Sequence, residues 1–131
     1  YENKLRKNII LKRFVCNPYP FLKSSDIFVL SSNYEGLPNV LLEAQFFKKI
    51  IISTKCPTGP KEILLNGKAG LFFKMDDYKD LSRKIIYVYK NKQRLKNMIK
   101  AGYDNLHRFD KDKNLNKYYQ TIVRFLDNEK N

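Results

Sequence analysis

Four short apolar runs divide the first part of the chain, and their spacing predicts alternating strands and helices. The runs are residues 9–11, 26–31, 50–54 and 70–73. The middle two are rich in β-branched and aromatic residues, which is typical of strands buried on both faces of a parallel sheet. Between them, the apolar positions from Pro38 to Phe47 follow helical spacing, and Pro38 suits the first helical position. The sequence therefore predicts the α/β class, with a parallel sheet of about four strands.

The remainder of the chain is predicted to be mostly helical. A short helix should run from Pro60 to a turn at Asn66 and Gly67, ahead of the last strand. Three further helices follow; Asp76 or Asp77 can cap the first of them, and Asp110 can cap the third. Gly102 is a candidate close-packing point. The residues expected to face inward are Leu81, Ile85 and Val88, then Leu95, Met98, Ile99 and Leu106, and finally Leu115, Tyr119, Ile122 and Leu126.

The length and composition suit one folded domain. The chain has 131 residues, of which 43% are hydrophobic and 14% aromatic, enough to bury a core. No apolar run approaches the roughly 20 residues of a membrane-spanning helix, and Cys16 and Cys56 have no partners at metal-ligand spacing. We expect a single domain over residues 1–131, with a sheet part at about 9–73 and a helical part at about 77–127. We place it in the cytoplasm, touching a membrane at most peripherally.

The charge balance is strongly basic, with 26 Lys and Arg against 13 Asp and Glu, a formal +13. Such a balance favours a nucleic acid, an anionic lipid or a phosphorylated ligand. A compositional bias toward Lys, Asn, Ile, Tyr and Phe, as AT-rich codons produce, explains it equally well. No helix-turn-helix, RNA-binding or zinc motif accompanies the charge, so we expect no nucleic-acid partner.

The segment 31–44 (SSNYEGLPNVLLEA) carries the candidate chemistry. It leaves the carboxyl end of a predicted buried strand and enters a helix, and ligands of open α/β sheets bind in that crevice. Gly36 lets a ligand approach the backbone closely. The first helical amides, at Asn39 and Val40, point outward at the positive end of the helix dipole. This position is therefore suited to a phosphate or diphosphate.

Two carboxylates, Glu35 and Glu43, flank this anion position. A carboxylate accepts hydrogen bonds from two adjacent hydroxyls, and sugar rings present such pairs. The combination suits a ligand with a diphosphate in the middle and a polyol at each end. A capped strand-to-helix loop with solvent-facing glutamates accounts for the same residues.

These glutamates, with seven residues between them, resemble the signature of retaining, nucleotide-sugar-dependent glycosyltransferases of the GT-B fold, the family 4 or group 1 type. Supporting matches are residues 14–19 (FVCNPY), 25–31 (SDIFVLS), 56–63 (CPTGPKEI) and 66–70 (NGKAG). The resemblance covers roughly residues 9–90 in unbroken order. The variant at residues 58–62 (TGPKE) is similar to members that build bacterial surface polysaccharides or lipid-linked oligosaccharides.

The resemblance implies a Rossmann-like donor-binding domain and a role for each motif residue. It implies that Glu43 holds the ribose hydroxyls and that Glu35, the candidate catalytic residue, lies by the donor sugar. The candidate donor-binding residues are Gly36, Leu37, Asn39, Val40 and Glu43, with Phe14 and Val15 meeting the base. Lys61 is a candidate phosphate contact. Such enzymes generally need no metal, so we expect no cofactor beyond the nucleotide-sugar donor.

The resemblance also implies that this sequence holds only the carboxy-terminal part of a two-domain enzyme. The acceptor-binding domain and the first two strands of the donor domain have no counterpart in it, nor do the Arg and Lys that usually neutralise the diphosphate. In the strand order 3-2-1-4-5-6 those two strands lie between the run at 9–11 and the run at 26–31. Either these runs pair directly or the sheet is incomplete.

The implied function is transfer of a sugar from a nucleotide diphosphate carrier, taken to be UDP, to a surface-polysaccharide or lipid-linked acceptor. We expect the isolated chain to be inactive. The alternative is a non-catalytic remnant or docking module that needs a separately encoded amino-terminal half.

Overall fold

The computed structural model describes residues 6–128 and has an α/β architecture. The strands are β1 (Ile27–Leu30), β2 (Ile50–Thr54) and β3 (Leu71–Phe73). The helices are α1 (Tyr19–Ser24), α2 (Asn39–Phe46), α3 (Gly59–Ile63), α4 (Tyr78–Asn91), α5 (Lys96–Asn105) and α6 (Lys111–Asn128). Short 3₁₀ turns lie at Arg6–Asn8, Leu65–Gly67, Lys92–Leu95 and Leu106–Phe109. The predicted class, a parallel sheet followed by a helical segment, is confirmed.

The three strands are parallel and lie in the order β1-β2-β3. Ile27 pairs with Ile50, and Ile52 pairs with Leu71. All five residues of β2 are buried, because successive side chains enter opposite faces and helices cover both. Ile51 packs in a cluster with Leu22, Leu30, Leu41, Ala44, Ile63 and Leu64, whereas Ile50 and Ile52 pack with Phe73, Val88 and Leu95. The loops that follow β1 and β2 therefore leave the same edge of a well-packed sheet.

The run at residues 9–11 does not form a strand, so the prediction of about four strands is wrong by one. Ile9, Ile10 and Leu11 are 57%, 80% and 90% exposed. Within residues 6–128, no strand pairs with the outer edge of β1. A strand needs a neighbour to take its backbone hydrogen bonds, and the two strands expected between this run and β1 are not in the sheet. Of the two outcomes predicted from the sequence, direct pairing of this run with β1 is therefore wrong.

The last helix is predicted correctly, but its inward face is not. Leu115, Tyr119, Ile122 and Leu126 are each more than half exposed. Ile85 in α4 is also exposed, while Val88 is buried and Leu81 packs against the core as predicted. The spacing of apolar residues fixes which face of a helix is apolar, but it does not say what covers that face.

Helix α2, which carries Glu43, is tied to its neighbours through one carbonyl. The Ile63 oxygen accepts from Gln45 Nε2 at 3.0 Å and from Asn105 Nδ2 at 3.2 Å. Gly102 is confirmed as a close-packing point, because a Cβ there would lie 3.1 Å from Gln45 Cγ. Helices α2, α3 and α5 are thus held in fixed relative positions beside the sheet.

Asp77, of the two candidates, caps α4. Its Oδ1 accepts from the Asp80 amide at 2.8 Å. The Asp80 carboxylate accepts from the Lys74 amide and from Arg83, and these bonds hold the pKa of Asp80 below its usual value. We expect Asp77→Ala to lower the free energy of unfolding by about 1 kcal/mol, measured by urea denaturation.

The matched control for this capping prediction is Asp76→Asn. Asp76 has a φ of 57°, which Asn tolerates well, so its replacement should change the free energy of unfolding by less than about 0.5 kcal/mol. Equal losses in the two variants would contradict the assignment of the cap to Asp77.

Candidate functional site

The loop between β1 and α2 is hydrogen-bonded to the loop after β2. The Glu35 amide donates to the Pro57 carbonyl at 3.3 Å, and the Thr58 amide donates to the Glu35 carbonyl at 3.1 Å. The Thr54 hydroxyl, at the end of β2, also donates to the Ser32 carbonyl. The backbone at Glu35 is therefore held by the central strand and the loop that follows it.

Two glycines define the closed and open sides of this loop. A Cβ built on Gly59 would lie 1.9 Å from the Gly36 carbonyl oxygen and 2.7 Å from Pro38 Cδ, so only a hydrogen fits there. A Cβ built on Gly36 would meet nothing within 4 Å. The backbone at Gly36 is therefore packed against Gly59 on one side and has open space on the other.

Helix α2 begins beside that open space without a side-chain cap. Pro38 is its N-cap, extended at φ −72° and ψ 97°, and no side chain accepts from the first turn. Pro38 was predicted one position further in, as the first helical residue; that residue is Asn39. The Leu41 amide donates to the Pro38 carbonyl at 2.9 Å, so the amides of Asn39 and Val40 precede this first intrahelical bond. With no acidic residue in the first turn, this end of the helix favours an anion.

Both candidate carboxylates are half-buried. Neither Glu35 nor Glu43 has a side-chain hydrogen bond or ion pair with another residue in the range 6–128, so both can bind a ligand. Glu43 lines an apolar groove of about 460 Å³; its other lining residues are Tyr19, Leu42, Phe46, Phe47, Leu106 and Phe109.

The other predicted site residues, Phe14, Val15 and Lys61, are exposed and lie outside the loop between β1 and α2. Phe14 is 91% exposed and Val15 is 40% exposed, in the segment before α1, and neither belongs to a core cluster. Lys61 is exposed on α3, just after the contact between Gly59 and Gly36. The described residues contain no group of three or more His, Cys, Asp or Glu side chains arranged to hold a metal ion.

A second groove, of about 510 Å³, borders the motif and was not predicted. Leu37, Asn39 and Leu42 line it from the motif side, and Glu62, Arg108, Phe109, Lys111, Asn114, Leu115 and Tyr118 complete it. More than sixty positions separate Leu42 from Arg108, the first lining residue near α6. Local sequence pattern gives the helix and its Asp110 cap, but it carries no signal that α6 begins beside the motif.

The parallel sheet and the loop that joins β1 to α2 form a Rossmann-like fold of the GT-B kind. Residues 1–105 match the family model for glycosyl transferases group 1. Because the match covers most of the sequence, the chain belongs to this family. No helix among residues 6–128 has the length and apolar character needed to span a membrane.

Similar proteins are known by sequence and by structure. N,N'-diacetylbacillosaminyl-diphospho-undecaprenol alpha-1,3-N-acetylgalactosaminyltransferase of Campylobacter jejuni is 32% identical over 107 residues, 82% of this chain and 28% of that protein. A glycosyltransferase structure from Rickettsia africae superposes with a TM-score of 0.79 at 22% identity, covering 92% of this chain and 34% of that one. The structure of the Anabaena protein HepE in complex with UDP superposes with a TM-score of 0.66 at 19% identity. The match covers 82% of this chain and 29% of the HepE chain. At these identities the structural likenesses concern the fold, and the chain spans about a third or less of each protein.

Proposed function

We propose that this chain is the donor-binding part of a retaining glycosyltransferase that moves a sugar from UDP to a surface-polysaccharide or lipid-linked acceptor. The observation that carries the proposal is the loop at Gly36. Gly59 packs against one side of this loop, the other side is free of protein atoms, and α2 begins three residues later without a side-chain cap. The named activity of the Campylobacter relative and the UDP bound to HepE favour this donor and this class of acceptor.

The diphosphate of the donor is assigned to the backbone of this loop. The amides of Asn39 and Val40 supply donors at the positive end of the helix dipole. These amides stabilise the transition state most strongly, where negative charge develops on the departing phosphate, because fixed dipoles need no reorganisation during the reaction. Lys61, in the middle of the neighbouring short helix α3, is the candidate side-chain cation.

The two free carboxylates are assigned to the polyol ends of the donor. Glu43 accepts from the two ribose hydroxyls, and Glu35 lies by the transferred sugar. Phe14 and Val15 remain the candidates for the base. The domain is amino-terminally incomplete in this proposal, so turnover requires an amino-terminal half that binds the acceptor, and the chain alone turns over no substrate.

A UDP titration followed by amide shifts in NMR spectra tests the donor site. We expect the largest shifts at Gly36, Asn39 and Val40, with the same affinity when EDTA is present. Glu43→Gln should weaken UDP binding by about tenfold or more, because a hydrogen bond to a charged group is worth roughly 1.5–3 kcal/mol. The matched control is Glu62→Gln, whose carboxylate pairs with Arg108 and which should bind UDP unchanged.

Three results would count against parts of this assignment. Unchanged UDP affinity in Lys61→Ala would remove Lys61 from the phosphate contacts. Equal losses in Glu43→Gln and Glu62→Gln would indicate a general charge effect and no ribose contact. Absence of UDP binding, even after fusion to an amino-terminal half from a relative, would overturn the proposal in favour of a docking module.

A further inference from the structure

We propose that Gln45 is a positioning residue for the donor site: it fixes the rotation of α2 about its own axis and so directs the Glu43 carboxylate at the ribose hydroxyls. The inference rests on the proposed function, in which Glu43 binds the ribose, and deepens it by naming the residue that sets the direction of that carboxylate. Gln45 does not touch the donor, and its effect on binding passes through Glu43.

Glu43 and Gln45 lie on opposite sides of the same helix. Successive residues of an α-helix are about 100° apart, so two residues separated by one position point in directions that differ by roughly 160°. Glu43 lines the apolar groove beside Phe46 and Phe109, whereas Gln45 is 2% exposed and packs against Gly102 of α5. A rotation of α2 that moves Gln45 therefore turns Glu43 through the same angle.

The Gln45 amide makes one directional bond, to the carbonyl of Ile63. Its Nε2 donates to that oxygen at 3.0 Å. Its Oε1 is buried and has no hydrogen-bond partner among residues 6–128. A buried acceptor without a partner costs free energy of folding, and this cost offsets the gain from the bond to Ile63. What the amide adds over an apolar side chain of the same length is a fixed direction.

The acceptor of this bond is itself held in place. Asn105, which is 4% exposed, donates from Nδ2 to the same Ile63 oxygen at 3.2 Å. Arg108 donates from Nη1 to Asn105 Oδ1 and from Nη2 to Glu62 Oε1, each at 3.2 Å. Because Asn105 Oδ1 accepts from Arg108, the Nδ2 of the same amide faces Ile63. The Ile63 carbonyl is therefore a fixed point to which Gln45 holds α2.

The space around Gln45 allows its side chain little movement. A Cβ built on Gly102 would lie 3.1 Å from Gln45 Cγ and 3.2 Å from its Nε2, so the backbone of α5 adjoins the amide directly. Leu41 and Ala44, on the same helix, are fully buried in one core cluster. A binding group that is displaced by about 1 Å loses much of its effect, so a confined Gln45 preserves the contact that Glu43 makes.

Gln45→Met tests the role of the directional bond, because it keeps the length of the side chain and removes the hydrogen bond. The probes are UDP and 2′,3′-dideoxy-UDP, which lacks both ribose hydroxyls, each titrated calorimetrically into the purified chain. The wild type should prefer UDP by about tenfold or more. Gln45→Met should weaken UDP binding by about fivefold and change binding of the dideoxy analogue by less than about twofold. The urea midpoint should not fall, since Ile63 keeps its bond from Asn105.

Three further variants isolate the effect of the amide. The matched control is Leu41→Met, which alters the packing of the same helix without touching a side-chain hydrogen bond and should keep the preference for UDP. Gly102→Ala presses on the amide from α5 and should reduce that preference even if Gln45→Met does not fold. In a chain that already carries Glu43→Gln, Gln45→Met should have no further effect on UDP affinity, because the two residues act through one contact.

Several outcomes would overturn the inference. They are equal losses for the two nucleotides in Gln45→Met, the same loss in Leu41→Met, and additive losses in the double variant with Glu43→Gln. A full preference for UDP in both Gln45→Met and Gly102→Ala would overturn the inference alone. A wild-type chain that binds the two nucleotides equally, or binds neither, would overturn the proposed ribose contact and the inference with it.

Discussion

Replacing Gly59 by Ala should lower the free energy of unfolding by about 3 kcal/mol, measured by urea denaturation. The new methyl carbon would lie 1.9 Å from the Gly36 carbonyl oxygen, far inside van der Waals contact. The obstacle is backbone, and the hydrogen bonds between Glu35 and residues 57–58 prevent it from moving aside. The loop must separate from its neighbour or the chain must unfold, so UDP binding should be lost as well.

Gly36→Ala is the matched control, because it adds the same methyl group on the other side of the contact. Nothing lies within 4 Å of that position, so we expect a change in stability of less than about 0.5 kcal/mol. UDP affinity should nevertheless fall, since the methyl group enters the space assigned to the donor. Equal destabilisation by the two substitutions would contradict the loop packing described above.

The second large effect is expected for Glu35→Gln in a protein that joins this chain to an amino-terminal half from a relative. Turnover should fall by two orders of magnitude or more, while the Kd for UDP stays within about twofold. Sugar transfer passes through a transition state with positive charge on the ring, and a carboxylate fixed beside that ring stabilises the charge. The measurement is kcat from initial rates at saturating donor.

The reference variant for this experiment is Glu62→Gln, which should keep full turnover. A Glu35→Gln variant that loses UDP affinity in proportion to its activity would place Glu35 among the binding residues only. Unchanged turnover would remove Glu35 from the reaction.

The elements that were predictable from the sequence are those whose pattern is local. The three consecutive isoleucines of β2 indicate a strand covered on both faces, and all three are buried. The spacing from Pro38 to Phe47 predicts α2 to within one residue at each end. The open backbone at Gly36 also follows locally, because a glycine between a strand and a helix marks a close approach.

The features that were missed depend on distant partners. The run at residues 9–11 is as apolar as a strand, but strand formation depends on a neighbour that these residues do not meet. The apolar face of α6, formed by Leu115, Tyr119, Ile122 and Leu126, was predicted, yet its exposure reflects the absence of a covering surface within residues 6–128. The second groove pairs Leu37 with Lys111, and no spacing rule links positions so far apart.

The late position in the sequence of the residues that cover β2 has a consequence for synthesis on the ribosome. Strand β2 is made early, but the side chains that cover one of its faces, Val88 and Leu95 among them, emerge much later. Until then a nascent chain presents Ile50 and Ile52 to the surrounding solution, and exposed apolar surface of this kind recruits chaperones or aggregates. A translational pause before Val88 and Leu95 have emerged from the ribosome therefore extends this vulnerable period, whereas a pause after their emergence finds this face of the sheet already covered.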